Sequence, residues 1–468
     1  DGVDTLGLTR SCVKHNFALT NPEALEAALK KAFFLARSGR PGPVLVEVAA
    51  AALRAPIQRP FAYPRDIPIR AYRSTWPIAR GQLRSAIEAL RQAERPLIYY
   101  GGGVVLSNAH RELRALAELT GAPVTSTLMG LGAFDGTHPH FLGMLGMHGT
   151  YEANMAMQHC DVLLAVGARF DDRVTGRLDA FSPNSRKVHV DIDRSSINKN
   201  VRVDLPIIAD VGSALADMIA LWKSRQHPKP ELAEWFRRIE GWRARRCLDF
   251  AERQDVIMPQ QAIRSLYEAT KHLSPIITTE VGQHQMWAAQ HFHFEEPNKW
   301  LTSGGLGTMG YGLPAAIGAQ LGEPGRLVID IAGEASIQMN IQELATATQY
   351  RLPVKIFILN NEYMGMVRQW QELTYQSRYS ESYSDALPDF VKLGEAYGWK
   401  GIRIDTRDQL DGGIADMLAY DGPVIVDCRV AKLANCFPMI PSGAAHTEMI
   451  LEGNEVSGEM DDEAKALV

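Results

Sequence analysis

The stretch LVIDIAGEASIQMNIQELATATQYRLPVKIFILNNEYMGMVRQW, residues 327–370, decides how this chain folds. It contains two apolar runs, residues 327–331 and 354–359. The segment between them has helical spacing, with an apolar face formed by Met339, Leu344 and Ala347. We predict a strand, a helix and a second strand in a right-handed parallel unit. The loops after the two strands then meet at one edge of the sheet, where open α/β sheets bind ligands.

These two loops combine a carboxylate with amide side chains. Gly333-Glu334-Ala335 follows the first apolar run, and Asn360-Asn361 follows the second. Twenty-four residues separate the two motifs. Oxygen ligands of this kind suit Mg²⁺, which completes its shell with phosphate oxygens when the protein supplies few ligands. The loops therefore predict a magnesium and phosphate site. The alternative is an ordinary βαβ unit with a polar loop.

Composition and charge exclude several classes of function. The chain is 46% hydrophobic and 22% charged, as expected for a globular protein, and its formal net charge of −5 argues against a nucleic-acid partner. No apolar run reaches the roughly 18 residues of a membrane span. The five cysteines are scattered without CxxC spacing, which indicates a reducing, cytoplasmic location rather than a zinc site or a disulfide framework.

The 468 residues suffice for two or three domains. We predict that residues 1–54 end a first α/β domain, because one helical pattern and one or two strands cannot form a domain alone. The chain opens in mid-pattern at Asp1, so we interpret the start of that domain as missing. The remaining segments are a linker rich in Pro and Arg (55–75), a central α/β domain (76–225), a connecting helix (226–255), a second complete α/β domain (256–430) and a tail with an acidic end (431–468).

Glycine-rich loops follow predicted strands in the central domain. Residues 96–100 end at Gly101-Gly102-Gly103, residues 161–166 end at Gly167, and residues 187–192 contain Asp191 near their end. Such loops let a diphosphate approach backbone N–H groups, and an acidic residue at a strand end can hold a ribose hydroxyl. The pattern fits a dinucleotide site, and it fits a purely structural Rossmann-like layer equally well.

With these motifs placed, the chain resembles the catalytic subunit of the acetohydroxyacid synthase (acetolactate synthase) family of thiamin diphosphate-dependent enzymes. The resemblance extends from Leu8 over nearly the whole chain. It rests on GRPGP (39–43), GMLGMHGTYEAN (143–154), GARFDDRVTG (167–176), VGQHQMW (281–287), GGLGTMGYGLPAAIG (304–318) and residues 360–370. It implies doubly wound parallel sheets in three domains that bind, in chain order, the cofactor's pyrimidine, FAD and the diphosphate with Mg²⁺. The first of these domains is incomplete here.

The resemblance also implies an activity and partners. The family decarboxylates pyruvate on thiamin diphosphate and joins the hydroxyethyl unit to a second pyruvate or to 2-ketobutyrate. This is the first common step of branched-chain amino acid (valine, leucine and isoleucine) biosynthesis. The resemblance implies a homodimer or tetramer with active sites at the dimer interface, and a small regulatory subunit.

Roles follow from the resemblance residue by residue. Mg²⁺ would be held by the side chains of Glu334 and Asn361 and by the carbonyl of Tyr363. The residues assigned to catalysis are Arg173 for the acceptor's carboxylate, Trp370 for its tail, Met366 at the reacting carbon, and Met147. The thiamin diphosphate contacts would be Val281, Gly282, Gln283, His284, Gly307, Met309, Gly333, Ala335, Ser336, Gly365 and Met366. The FAD contacts would be Arg40, Gly101, Gly103, Thr127, Leu128, Leu145, Gly146, Met147, His148, Gly167, Arg169, Asp171, Arg173, Val174, Asp191, Ile192 and Asp210.

The chain departs from the family's pattern at functional places. Glu334 stands where the family has Asp, and Ala49, Ala50 and Ala51 stand where it has Pro-Lys-Asp. The family's catalytic glutamate would lie upstream of Asp1, so we expect this chain alone to be inactive. The alternatives are another thiamin diphosphate lyase, such as a catabolic acetolactate synthase, glyoxylate carboligase or pyruvate oxidase, and a non-catalytic cofactor-binding homologue. The flavin loop at residues 169–173 and Trp370 favour the biosynthetic enzyme.

Overall fold

The computed structural model describes residues 2–67, 69, 72–224, 230–384 and 386–451. Its strands are β1 His15–Leu19, β2 Val44–Val48, β3 Pro96–Tyr100, β4 Val124–Ser126, β5 Phe141–Met144, β6 Val162–Val166, β7 Arg186–Asp191, β8 Leu205–Ile208, β9 Ile276–Thr279, β10 Trp300–Thr302, β11 Val328–Gly333, β12 Lys355–Asn360, β13 Lys400–Ile404 and β14 Val424–Arg429. Every strand pair within its three sheets is parallel.

The α-helices lie between and around these strands. They are α1 Thr5–Thr9, α2 Leu25–Arg37, α3 Ala50–Arg54, α4 Arg80–Gln92, α5 Gly102–Leu106, α6 His110–Thr120, α7 Tyr151–His159, α8 Asp172–Thr175, α9 Val211–Lys223, α10 Ala233–Arg243, α11 Pro259–Thr270, α12 Gln283–His291, α13 Gly312–Gly322, α14 Glu343–Gln349, α15 Gly365–Leu373, α16 Phe390–Ala396 and α17 Arg407–Ala419. Within the described ranges, no helix has the length and apolar character needed to cross a membrane.

The sheet nearest the carboxyl end has the strand order β10-β9-β11-β12-β14-β13. All residues of β9, β11 and β12 are buried, because hydrophobic clusters cover both faces of the sheet. Strands buried on both faces read as continuous apolar runs, which is why the sequence located β11 and β12. The two strands pair in parallel with Gly333 opposite Leu359, so their loops leave the same edge, as predicted.

The central sheet has the order β5-β4-β3-β6-β7-β8. The chain runs outward from β3 in one direction through β4 and β5, and in the other through β6, β7 and β8. The crevice at this change of direction therefore lies at the carboxyl ends of β3 and β6. In the other sheet the equivalent crevice lies between β9 and β11. Ligands bind at such switch points in open α/β sheets.

The fold confirms the predicted α/β class with doubly wound parallel sheets, while the domain boundaries stay a prediction. The amino-terminal residues form the two-stranded sheet β1-β2 with α2, and the described residues of the segment 55–75 contain neither helix nor strand. Ala50 and Ala51, at the departure from the family's pattern, begin α3. The acidic end of the tail (Glu459, Asp461, Asp462 and Glu463) lies outside the described residues.

One predicted helical face is wrong in part. Leu344 and Ala347 are fully buried on α14, but Met339 is 54% exposed. Met339 belongs to a separate 3-10 helix, Ile337–Asn340, whose tighter turn points it away from that face. The sequence also gave no signal for β10, which has three residues, or for β13, which is half-exposed at a sheet edge.

Candidate functional site

A cleft opens at the switch point between β9 and β11. It is lined by Val281, Gly282, Gln283, His284, Trp287, Met309, Gly333, Glu334, Ala335, Ser336, Leu359, Asn361, Tyr363, Met364, Gly365, Met366 and Val367. All residues assigned to thiamin diphosphate and Mg²⁺ are among them except Gly307, which lies in the loop before Met309. The cleft has a volume of about 80 Å³, the space of a few water molecules. It suits a metal ion and a phosphate group, and a larger cofactor would extend across the open mouth.

Glu334 is the only carboxylate among the residues that line this cleft. Its side chain is 1% exposed, and its Oε1 has no hydrogen-bond partner in the part of the chain that the structure describes. Burial raises the pKa of Glu334 to about 8. A buried carboxylate oxygen without a partner is costly, and a bound cation would compensate for it. The residues therefore fit a metal ion.

The chemistry of the remaining ligands distinguishes between metals. Among the described residues, no group of three or more His, Cys, Asp or Glu side chains could hold a metal ion. Asn361 and Tyr363 add neutral oxygens to the single carboxylate. A site with so few charged protein ligands suits Mg²⁺ that also binds phosphate oxygens, and it does not suit Zn²⁺.

The amino-terminal end of α12 faces the cleft. The helix begins at Gln283, and a helix N-terminus offers free N–H groups to an anion such as a diphosphate. His284 fills the space between two glycines: a Cβ on Gly282 or on Gly333 would lie 2.8 Å from its Cε1. Burial lowers the pKa of His284 to about 3, so the ring is neutral.

The loop that carries Met309 is anchored by residues that the sequence analysis missed. The side chain of Glu280 accepts hydrogen bonds from the N–H groups of Gly310 (2.5 Å) and Leu313 (3.2 Å). On the other side, Asn340 Nδ2 donates to the carbonyl of Gly310 at 2.6 Å. Residues 304–308 are exposed, whereas Gly310 is buried. The anchored Gly310 therefore fixes the position at which Met309 enters the cleft.

Asp330 backs this anchor from the neighbouring strand. It is fully buried in β11, and burial together with the Glu280 carboxylate raises its pKa well above the usual range. Thr278 donates to its Oδ1 at 3.0 Å. An acidic residue inside the apolar run 327–331 is unusual and could have been noticed in the sequence. The neighbouring carboxylate, Glu280, lies 50 residues away in the chain and could not.

The residues assigned to catalysis are divided between two places. Met366 lines the cleft, and Trp370 lies one turn further along α15, half-buried. Arg173 is exposed, and its Nη1 lies 3.7 Å from the sulfur of Met147. Neither Arg173 nor Met147 lines the cleft, and both lie among the residues assigned to FAD.

A second crevice lies at the switch point of the central sheet. A Cβ on Gly101 would lie 2.6 Å from the carbonyl oxygen of Gly167, and a Cβ on Gly103 would lie 2.6 Å from the Cα of Gly167. The two loops therefore pack backbone against backbone, and this contact alone requires glycine at these positions. Thr127 Oγ1 nearby is buried and finds no partner among the described residues.

The loop 145–148 packs against the loop 173–174. Met147 N–H donates to the carbonyl of Arg173 at 2.8 Å, and a Cβ on Gly146 would lie 2.6 Å from the same oxygen. His148 Nδ1 lies 3.0 Å from the carbonyl oxygen of Pro438, and its buried Nε2 has no partner in the described residues. These contacts gather the assigned residues Leu145, Gly146, Met147, His148, Arg173 and Val174.

A cavity of about 410 Å³ lies at the end of β7. Arg40 and Ile192, both assigned to FAD, line it together with Lys14, Tyr72, Arg73, Trp76, Asp193 and Arg194. Arg40 pairs with Asp193 at 3.0 Å. The cavity, the close backbone approaches and the partnerless Thr127 and His148 atoms fit a large polar ligand.

The other assigned flavin residues make local contacts. Arg169 pairs with Asp171, and Asp191 accepts from the N–H of Asp193 at 2.7 Å. Asp210 caps α9 through Ser213 and accepts from Ser107 at 2.7 Å. Leu128 packs beside the carboxyl-side hydrophobic core. Each of these residues therefore has a structural role in the fold that does not depend on a bound flavin.

Comparison with known families defines the class of protein. A model described as "Thiamine pyrophosphate enzyme, central domain" matches residues 83–218, and one described as "Thiamine pyrophosphate enzyme, C-terminal TPP binding domain" matches residues 280–428. The first match contains the switch point of the central sheet, and the second begins directly after β9 and contains β11, so the chain belongs to the class of thiamine pyrophosphate enzymes.

Similar proteins narrow the class further. The chain is 44% identical over 457 residues to the acetolactate synthase isozyme 3 large subunit of Escherichia coli (strain K12), covering 97% of this chain and 79% of that protein. It is 43% identical to the acetolactate synthase large subunit of Haemophilus influenzae, with 96% and 78% covered, and 44% identical to that of Parasynechococcus marenigrum, with 96% and 72% covered. The chain belongs to the acetolactate synthase large subunit family, which confirms the resemblance drawn from its motifs.

Proposed function

We propose that the protein catalyses the acetolactate synthase reaction, in which pyruvate loses carbon dioxide and the remaining two-carbon unit joins a second pyruvate or 2-ketobutyrate. This reaction begins branched-chain amino acid biosynthesis. The observation that carries the proposal is the convergence of the residues assigned to thiamin diphosphate and Mg²⁺, Gly307 apart, on one cleft at the β9–β11 switch point of a chain in this family.

Thiamin diphosphate and Mg²⁺ would occupy this cleft. Bound thiamin diphosphate supplies an electron sink that lets a 2-ketoacid lose carbon dioxide. The N–H groups at the start of α12 would bind the diphosphate, and Glu334, Asn361 and the Tyr363 carbonyl would hold Mg²⁺. The partnerless Glu334 oxygen supports this assignment. Met309, fixed by Gly310, would support the cofactor, and Met366 and Gly365 would face the reacting carbon.

FAD would occupy the crevice of the central sheet. The cavity beside Arg40 and Ile192 supports a nucleotide end at β7, and the partnerless atoms of Thr127 and His148 support polar contacts closer to β3 and β6. Arg173 is exposed beside Met147, where its guanidinium could bind the acceptor's carboxylate with two hydrogen bonds. Trp370 would offer a flat apolar surface to the acceptor's tail.

Three further points belong to this proposal. The relatives are named large subunits, which supports a small regulatory partner. A homodimer or tetramer would place active sites at the subunit interface. A cytoplasmic location is supported by the five cysteines, all of which lie in the described residues as free thiols.

The test is an assay of the complete gene product with pyruvate, thiamin diphosphate, MgCl₂ and FAD. Two pyruvates should yield one acetolactate and one carbon dioxide. Carbon dioxide without acetolactate would identify a simple decarboxylase. A protein that binds thiamin diphosphate and Mg²⁺ yet forms neither product would contradict the proposed function and favour a non-catalytic homologue.

A further inference from the structure

Three buried side-chain amides, joined in series by hydrogen bonds, connect the carboxy-terminal segment to the proposed metal ligand Asn361. Its members are Gln369 on α15, Gln283 at the start of α12, and Asn361 after β12. Their exposed fractions are 0%, 3% and 5%. Polar groups buried this deeply are retained only with partners, so the direction of each hydrogen bond matters.

The first amide has a fixed orientation because backbone groups hold both of its ends. The N–H of Cys436 donates to Gln369 Oε1 at 2.7 Å, and Gln369 Nε2 donates to the carbonyl of Cys436 at 3.2 Å. A backbone N–H can only donate and a backbone carbonyl can only accept. Reversing the Gln369 amide would therefore break both bonds at a fully buried site.

The second amide takes its orientation from the first. Gln283 Nε2 donates to Gln369 Oε1 at 2.8 Å and to the backbone carbonyl of Ala434 at 3.0 Å. Both partners are acceptors, so the amino end of Gln283 must face them. Its oxygen is thereby directed toward the cleft, which also means that this side chain has no N–H left for a diphosphate.

The third amide, that of Asn361, completes the hydrogen-bonded series. Asn361 Nδ2 donates to Gln283 Oε1 at 3.4 Å, the longest bond of the series. This leaves Asn361 Oδ1 on the opposite side, where it accepts from the N–H of Tyr363 at 3.2 Å. The orientation fixed by the Cys436 backbone thus reaches the oxygen that would bind Mg²⁺.

We propose that Gln369 and Gln283 are positioning residues that determine which end of the Asn361 side chain faces the metal. The inference rests on the proposed function, since it concerns the same Mg²⁺. A reversed Asn361 would present its amino group, which cannot ligate a cation. Gln369 acts without lining the cleft, through a neighbour whose amide it orients.

The test measures Mg²⁺ affinity by calorimetry, with MgCl₂ titrated into the protein at saturating thiamin diphosphate. Gln369→Met removes the acceptor for Gln283 and should weaken Mg²⁺ binding by about tenfold or more, as loss of a ligand's hydrogen-bond partner typically does. Gln369→Glu, protonated because the site is fully buried, keeps an oxygen toward Cys436 N–H and Gln283 and a donor toward the Cys436 carbonyl, so it should restore most of the affinity. Gln371→Met, two residues along α15 with bonds to Ser380 and Ser382 instead, should change nothing.

Repeating the measurement in an Asn361→Asp variant distinguishes an effect on the orientation of residue 361 from a general packing defect. A carboxylate presents oxygen whichever way it turns, so in the Asn361→Asp background Gln369→Met should reduce Mg²⁺ affinity by much less than in the wild-type background. An equal loss in both backgrounds would overturn the inference, because a packing defect does not depend on residue 361. If Gln369→Met does not fold, Gln283→Met makes the same comparison. Wild-type protein that binds neither Mg²⁺ nor thiamin diphosphate would instead overturn the proposed function.

Discussion

A Cβ built on Gly365 would lie 2.0 Å from Oε1 of Gln283, so α15 begins in direct contact with the side chain that begins α12. The same Cβ would lie 2.9 Å from Nδ2 of Asn361. No side-chain Cβ approaches a non-bonded oxygen to 2.0 Å, and therefore a side chain at position 365 requires Gln283 to move. The two helices meet at the cleft only because this residue is glycine.

Gly365→Ala should weaken the binding of thiamin diphosphate and Mg²⁺ by about tenfold or more, since it displaces a side chain that orients a ligand. Calorimetry with both ligands measures the change. Gly318→Ala is the matched control: Gly318 is exposed on α13 with nothing within 4 Å of a Cβ. It should leave affinity unchanged and stabilise the protein by about 0.5–1 kcal/mol. Normal affinity in Gly365→Ala would disprove the required contact.

The sequence was sufficient to locate the cleft because short stretches of sequence encode the strands and loops that form it. Apolar runs predict buried strands, and parallel strands bring their following loops to one edge, so Glu334 and Asn361 could be placed together before the fold was known. The family's motifs then supplied Val281 and Met309. This information lies within short stretches or in spacing along the chain.

The missed residues depend on contacts between distant positions. The missed Gln369 bonds to the assigned Gln283 across 86 residues, and the missed Glu280 contacts Gly310 and Asp330 from a third segment. No periodicity or turn signal reports such a contact. The short edge strands β10 and β13 were missed for a related reason: their stability comes from their neighbours, while their own residues carry a weak pattern.

Glu334→Asp should tighten the binding of Mg²⁺ and thiamin diphosphate. The present side chain has one methylene more than the aspartate that the family's motif carries, and ordering the longer chain around a metal costs more entropy. Glu334→Gln keeps the length but removes the charge, and it should bind Mg²⁺ far more weakly than wild type. Calorimetric titration of each variant gives the comparison. Weaker binding in Glu334→Asp would contradict the expected gain, and unchanged Mg²⁺ affinity in Glu334→Gln would show that Glu334 is not the ligand.

Asn340→Asp should loosen the loop that carries Met309. The substitution replaces the group that donates to the Gly310 carbonyl by an acceptor, while Asn340 is half-buried, so the fold should survive. Hydrogen exchange of residues 304–311, followed by mass spectrometry, should become faster. Asn298→Asp introduces the same charge at an exposed site and should leave this loop unchanged. Unaltered exchange in Asn340→Asp would mean that Glu280 alone anchors Gly310.

Trp370→Leu should reduce the preference for 2-ketobutyrate over pyruvate as acceptor. An added methylene in an apolar pocket contributes about 1–3 kcal/mol, and the smaller side chain removes part of that surface. The ratio of the two products in a mixture of both ketoacids measures the effect. Gln371→Ala, on the next position of α15, should keep the wild-type ratio. If Trp370→Leu gives the same product ratio as wild type, Trp370 does not select the acceptor.

Stability should fall with acidity because of buried neutral histidines, of which His291 is the clearest. It is 5% exposed on α12, and Arg264 Nε donates to its Nδ1 at 3.3 Å. Burial, with Arg264 and His293 nearby, lowers its pKa to about 3. The unfolded chain, with the ordinary pKa near 6.5, therefore binds more protons between pH 6.5 and 3. The free energy of unfolding should drop by up to about 1.4 kcal/mol per pH unit for this group as pH falls through that window.

His291→Gln keeps an acceptor for Arg264 but cannot titrate, so its unfolding free energy should depend less steeply on pH below 6.5 and match the wild-type slope above it. Urea unfolding between pH 4.5 and 7.5 measures both slopes. Exposed His272 provides the control, since His272→Gln should leave the slope unaltered. His148, with its pKa lowered to about 4 by burial, acts in the same direction, which is why a residual slope should remain in His291→Gln. An unchanged slope in His291→Gln would mean that His291 becomes accessible to protons before the chain unfolds.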